Sequence, residues 1–165
     1  MELKFRDLTA DDIEVRIQSF KEGKGAVLLL YKDARVDQNI LDETVGQMNW
    51  SREHYECKGN LFCRVGIRYD NSGEWTYKAD CGTESNTEAQ KGEASDSFKR
   101  ACFNWGIGRE LYTSPFIWVK AEDMKSKYDK FFVEKIKIEN KQVVGLAVKN
   151  ETTGKRVFVW QKSTT

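Results

Sequence analysis

The segment from Thr87 to Tyr112, TEAQKGEASDSFKRACFNWGIGRELY, constrains the fold more than any other, because it carries a start, a buried face and a stop for one helix. Thr87 can cap the first turn while Gln90, three residues on, reaches back to it, a reciprocal arrangement that satisfies two otherwise unpaired N–H groups. At 100° per residue, Ala94, Phe98, Ala101, Cys102 and Trp105 fall within roughly a 100° arc, the stripe a helix buries against a core. Gly106 and Gly108 supply the backbone freedom to end the helix, and Pro115, the only proline, keeps it from resuming. Lys99 sits at the edge of the stripe. Arg100 leaves the helix about 100° away, one turn from Asp96. On residue chemistry alone the basic pair is either a solvated face, with an Asp96–Arg100 pair worth ~0.3 to 0.5 kcal/mol, or a site presented to an anion.

The rest of the chain reads as strands around two helices. Strands are expected at about 14–20 and 26–31, joined by the KEGKG turn as a hairpin. Val36, Ile40, Leu41 and Val45 then repeat at helical spacing behind Asp33 as a cap, and Gly46 ends that helix. Further strands follow at about 50–57, 61–69 and 75–81, the last two joined by the turn formers Asp70, Asn71, Ser72 and Gly73. After the 87–112 helix, alternation in VEKIKI, VVGLAV and RVFVW predicts two or three more strands, with NETTGK as a turn. The expected class is α+β: an antiparallel hairpin and meander packed against a long helix, with an additional C-terminal β segment. A chain of 165 residues suits one domain spanning 1–165, here a core at 14–118 and a basic, strand-rich tail at 119–165.

Three stretches together carry a family resemblance: YKDARVDQNILDETVGQMNW (Tyr31 to Trp50), GNLFCRVGI (Gly59 to Ile67) and, most specifically, GEASDSFKRACFNWGIGRELY. Over roughly residues 14–118 the chain resembles the Rad52 superfamily of single-strand annealing proteins, in its phage or bacterial, Sak-type recombinase branch. The resemblance implies ATP-independent binding of single-stranded DNA and annealing of complementary strands in homologous recombination and DNA repair, with no bond made or broken and no cofactor. It implies a homo-oligomeric ring in the bacterial cytosol, with a single-strand-binding protein or a phage exonuclease as partner. Carried over position by position, the DNA-binding residues are Arg35, Lys99 and Arg100.

Arg35 is also conspicuous on physical grounds. It lies in the first turn of its helix, where the macrodipole disfavours a cation by ~0.3 to 1 kcal/mol, so it is either neutralised by Asp33 or Asp37 or placed for an anion. The chain departs from the family at Phe103, where some members have Arg one turn after the basic pair. It departs again in the loop GTESNTE, basic in some relatives, which weakens the case for a second, outer DNA site.

Composition bounds the alternatives. Net charge is +1, so the chain does not bind nucleic acid simply by being basic; cations exceed acids only over residues 113–165, by 11 to 6. That basic tail leaves open a non-enzymatic module that docks an acidic partner. No apolar run approaches the ~20 residues of a membrane span, and the charged start MELKFRDLTADD lacks a secretory apolar region. Cys57, Cys63, Cys81 and Cys102 have no CxxC spacing and His54 is the only histidine, so neither a zinc site nor a catalytic base is indicated. Cys57 and Cys63 flank a possible turn at Gly59, where a disulfide is conceivable but not expected in a reducing compartment. No GxxxxGK[ST] phosphate loop is present. Four ExK triplets (Glu2/Lys4, Glu22/Lys24, Glu56/Lys58, Glu139/Lys141) are the whole sequence case for a metal-dependent nuclease.

Overall fold

In the computed structural model, which describes residues 2–69, 73–83 and 89–163, the elements run β1 (Glu14–Lys21), β2 (Gly25–Tyr31), α1 (Ala34–Val45), β3 (Trp50–Cys57), β4 (Asn60–Ile67), β5 (Thr76–Cys81), α2 (Ala89–Asn104), β6 (Ile117–Lys120), β7 (Phe131–Glu139), β8 (Gln142–Asn150) and β9 (Arg156–Gln161). The α+β class is as expected. These elements form two compact units: one from residues 2–6 and 34–108, the other from residues 7–33 and 109–163. The proposed Thr87 cap and the Asp70–Ser72 turn lie outside the described residues, as does most of the GTESNTE loop.

The second unit is one antiparallel sheet of six strands in the order β6-β2-β1-β7-β8-β9. The amino-terminal hairpin therefore pairs with the C-terminal strands and not with the meander. Within the sheet β2 is an inner strand: Ala26, Leu28 and Leu30 are buried and Val27 and Leu29 half-buried, the pattern of a strand covered on both faces, and it lies between β1 and β6. One neighbour is β6, a strand that periodicity did not predict, with Ile117 and Val119 buried. The β7–β8 turn is made by Asn140 and Lys141 at φ 51 and 59°, the type I′ geometry that matches strand twist. Asp129, buried, holds the approach to β7: its carboxylate accepts the N–H of Lys125 at 2.7 Å and of Ser126 at 3.1 Å, and Asn150 Nδ2–H at 2.9 Å. Burial alone would raise its pKa, but these hydrogen bonds hold it below the ordinary range.

The first unit is the meander β3-β4-β5 with α1 and α2. β4 ends at Ile67, two residues short of expectation, and the β3–β4 turn is Lys58–Gly59, both with positive φ. Register fixes which side chains meet α2. Trp50, Arg52 and His54 lie opposite Ile67, Val65 and Cys63, which lie opposite Thr76, Lys78 and Asp80; this face carries the helix. Phe98, Ala101 and Cys102 are wholly buried, as are Ile40 and Leu41 of α1, so the two predicted stripes close one core. Gly46 and Gly106 take φ of 85 and 100° to end the helices. All four cysteines are free; Cys57 and Cys63 fall on opposite faces of the meander, which rules out the conceivable bridge.

Candidate nucleic-acid interface

α2 is held in place by three polar clamps around its apolar stripe. At its start, Glu93 Oε1 accepts the Leu61 N–H at 3.2 Å. Midway, Asp96 Oδ2 accepts the Thr83 N–H at 2.9 Å, which ties the chain after β5 to the helix. At its end, Trp105 donates its indole N–H to the Val65 carbonyl at 2.8 Å, and Asn104 Nδ2–H reaches the Ala79 carbonyl at 2.9 Å. Lys78 Nζ donates to the Asn104 carbonyl at 3.3 Å, a cation at the negative end of the helix dipole. Gly82 permits all of this: a Cβ there would lie 2.3 Å from the Glu93 carbonyl oxygen and 2.7 Å from the Ser97 nitrogen. Only glycine lets the strand end approach the helix so closely.

The three expected DNA-binding residues all fall in this unit, on two helices that touch. Arg35 is exposed in the first turn of α1. Lys99 is half-buried at the border of the α2 stripe. Arg100 is exposed, with Nε 3.0 Å from Asp96 Oδ2, so the i, i+4 pair exists as the spacing suggested. Phe103, where relatives have Arg, is half-buried.

His54 lies under the helix. Arg52 donates to His54 Nε2 at 3.0 Å, which leaves the proton on Nδ1 to face Ser97 Oγ at 3.4 Å, while Ser97 Oγ donates to the Ala94 carbonyl at 2.8 Å. Burial, and then the Arg52 charge, push its pKa below the ordinary histidine value. The guanidinium of Arg52 stacks over the Phe98 ring, 4.4 Å from its centroid. This is a packed, neutral histidine.

The other face of the meander carries residues that no sequence motif singled out. There Tyr55 and Phe62 stack at 5.6 Å, Trp75 and Tyr77 stack at 6.4 Å, Arg64 lies 4.5 Å from the Tyr77 centroid and Arg68 lies 5.1 Å from that of Trp75. Arg64 also binds Glu53, Nε to Oε2 at 2.9 Å. Period-two alternation at 53, 55, 62, 64 and 77 was the available signal. These rings are on the side of the sheet away from α2 and so form a surface separate from Lys99.

Among the described residues no group of three or more His, Cys, Asp or Glu is placed to hold a metal ion, and no helix is long and apolar enough to cross a membrane. Of the ExK triplets, Glu2/Lys4 lies in the irregular segment before the first strand and the other three sit at strand ends and turns. Lys141 of the last one is engaged elsewhere, 3.1 Å from Asp7 and 3.8 Å from Glu110, whose buried Oε2 accepts the Leu8 N–H at 2.9 Å.

Residues 5–131 match the Rad52/22 family double-strand break repair protein description, a span that includes both helices and the meander. The single-stranded DNA-binding protein DdrA of Deinococcus radiodurans is 34% identical over 108 residues, which cover 61% of this chain and 48% of that protein. The chain thus aligns with about half the length of that relative. No solved structure matches it. With the match spanning both helices, the meander and all three cationic positions, the chain belongs to the Rad52/22 family of double-strand break repair proteins.

Proposed function

We propose that this protein binds single-stranded DNA through Arg35, Lys99 and Arg100 and anneals complementary strands without nucleotide, as a homo-oligomer. The observation that carries the reading is the placement of these three cations on α1 and α2, two touching helices of one unit, within the span that matches the family. The relative's name adds the ligand class. Phosphates lie against the helices, counterions are released, and the bases stay exposed for a second strand. Oligomerisation into a ring extends the cationic surface from copy to copy, the whole chain acting as one annealing unit with no catalytic group and no cofactor. A single-strand-binding protein or a phage exonuclease is the proposed partner in recombination.

The test is an annealing assay with two complementary labelled oligonucleotides, in low salt and without ATP, alongside light scattering. The expected result is annealing faster than the spontaneous rate and a mass that is a multiple of 19.1 kDa. A spontaneous rate at every protein-to-DNA ratio contradicts the annealing reading, and a monomer both free and on DNA contradicts the assembly. Magnesium-dependent shortening of the oligonucleotides would point to the nuclease instead.

A further inference from the structure

Strands β7, β8 and β9 lie beyond the stretch that matches the family except for their first residue, Phe131, and they form a surface that the proposed DNA site does not use. Register builds it from two rows across the sheet. Lys135 pairs with Ala147, which pairs with Val159; Lys137 pairs with Gly145, which pairs with Gln161. In each row a cation stands on β7, a residue with little or no side chain on β8, and an uncharged side chain on β9. The middle strand is therefore the floor of a trough of about 1020 Å³, lined by these residues with Lys162 at one end.

The walls differ in chemistry. Lys135 and Lys137 are both exposed on the β7 side, and strand geometry sets their Cα atoms about 6.6 to 6.8 Å apart. On the β9 side Val159 is 66% exposed, a large apolar side chain left in water. The charge that faces the trough is positive: Lys135, Lys137 and Lys162 against Glu139, with Arg156 already held bidentately by Glu134 at 2.7 and 2.8 Å. Lys137 pairs with Glu139 at 3.3 Å, but both are largely exposed, so the pair contributes little and a competing carboxylate can displace it.

We infer that this trough binds an extended acidic peptide in which carboxylates alternate with apolar side chains. An extended segment lying along β8 projects successive side chains to opposite sides. Carboxylates at i and i+2 then meet Lys135 and Lys137 at the matching spacing, and the apolar residue between them covers Val159. Single-stranded nucleic acid suits the trough less well: Trp160 is the aromatic residue in its lining, and it alternates to the opposite face of β9 from Val159 and Gln161, so neither row presents a ring on which a base could stack.

The test uses the full chain and a fluorescein-labelled synthetic peptide, Gly-Glu-Leu-Glu-Leu-Glu-Gly, followed by fluorescence anisotropy in low salt, with the same peptide carrying Lys for Glu as control. The expected result is saturable binding of the acidic peptide alone, weakened about tenfold by the double charge reversal Lys135→Glu/Lys137→Glu. Gly145→Ala should weaken it as well by filling the floor. Its new Cβ meets Lys137 Cβ at 3.4 Å and the Trp160 carbonyl oxygen at 3.9 Å, both ordinary separations, so this variant keeps the fold if the first does not. Absence of binding, equal binding of the control peptide, or unchanged affinity in both variants overturns the proposal. Labelled oligo-dT measured on the same variants separates the two sites: it should bind as to the unaltered chain, and a loss of oligo-dT binding with none of peptide would make the trough a nucleic-acid surface and overturn the peptide assignment.

Discussion

Arg100 and Asp96 face each other one turn apart on α2, Nε to Oδ2 at 3.0 Å, and that same oxygen accepts the Thr83 N–H at 2.9 Å. Asp96 thus has two jobs, one holding the chain after β5 and one holding a proposed DNA-binding cation. The two can be separated. Asp96→Asn keeps an oxygen for Thr83 and removes the charge that competes with phosphate, so affinity for oligo-dT should rise about two- to fivefold with little loss of stability. Asp96→Ala should give a similar rise but lower the melting temperature, since the Thr83 N–H loses its acceptor. Anisotropy titrations and thermal melts of both variants check this; weaker binding by Asp96→Asn would place Arg100 outside the site.

Gly82 and Phe98 both set the position of α2 on the meander, one by close backbone approach and the other by core packing. Gly82→Ala should cost about 1 to 3 kcal/mol, because backbone atoms of Glu93 and Ser97 must move to admit a methyl group. Phe98→Ala should cost about 3 to 5 kcal/mol by opening a cavity beneath Trp50 and Arg52. Denaturant unfolding measures both, and a change under about 0.5 kcal/mol at either position would mean that α2 is not packed as described.

The pH dependence of stability should carry a signature of His54. Its folded pKa is lowered, so the unfolded chain takes up the proton first, and the contribution is fully present above the unfolded value and lost as pH falls toward the folded one. Stability should therefore decline as pH drops below about 6.5. His54→Gln should flatten that part of the profile. A profile identical in the two proteins between about pH 5 and 7 would show that His54 stays solvated.

How much of this was legible in the sequence depends on whether a signal was local. The α2 stripe at Phe98, Ala101 and Cys102 and the helix stops at Gly46 and Gly106 follow from periodicity and glycine geometry, and all appear as read. The partition of strands between two sheets did not follow, because pairing of β1 with β7 joins distant parts of the chain, Glu14 with Phe132, and no local pattern encodes it. β6 escaped for a related reason: its residues, IWVK, are too few for alternation to declare itself. At the site, the Arg100–Asp96 pair was readable from i, i+4 spacing, whereas the clamp of Asp96 on Thr83 depends on where β5 ends. The aromatic face of Tyr55, Phe62 and Tyr77 was written in alternation but emerges only when register brings three strands side by side.

If α1 and α2 carry the DNA-binding cations, the salt dependence of oligo-dT affinity in Lys99→Ala and Arg35→Ala reports it. Removing one phosphate-binding cation should lower the magnitude of the slope of log K against log salt by roughly 0.7 and weaken binding at low salt. Annealing should slow in parallel while circular dichroism and the melting curve stay native. Unchanged affinity and slope in both well-folded variants would contradict the account and move the DNA-binding surface to the basic strands between Lys120 and Lys162.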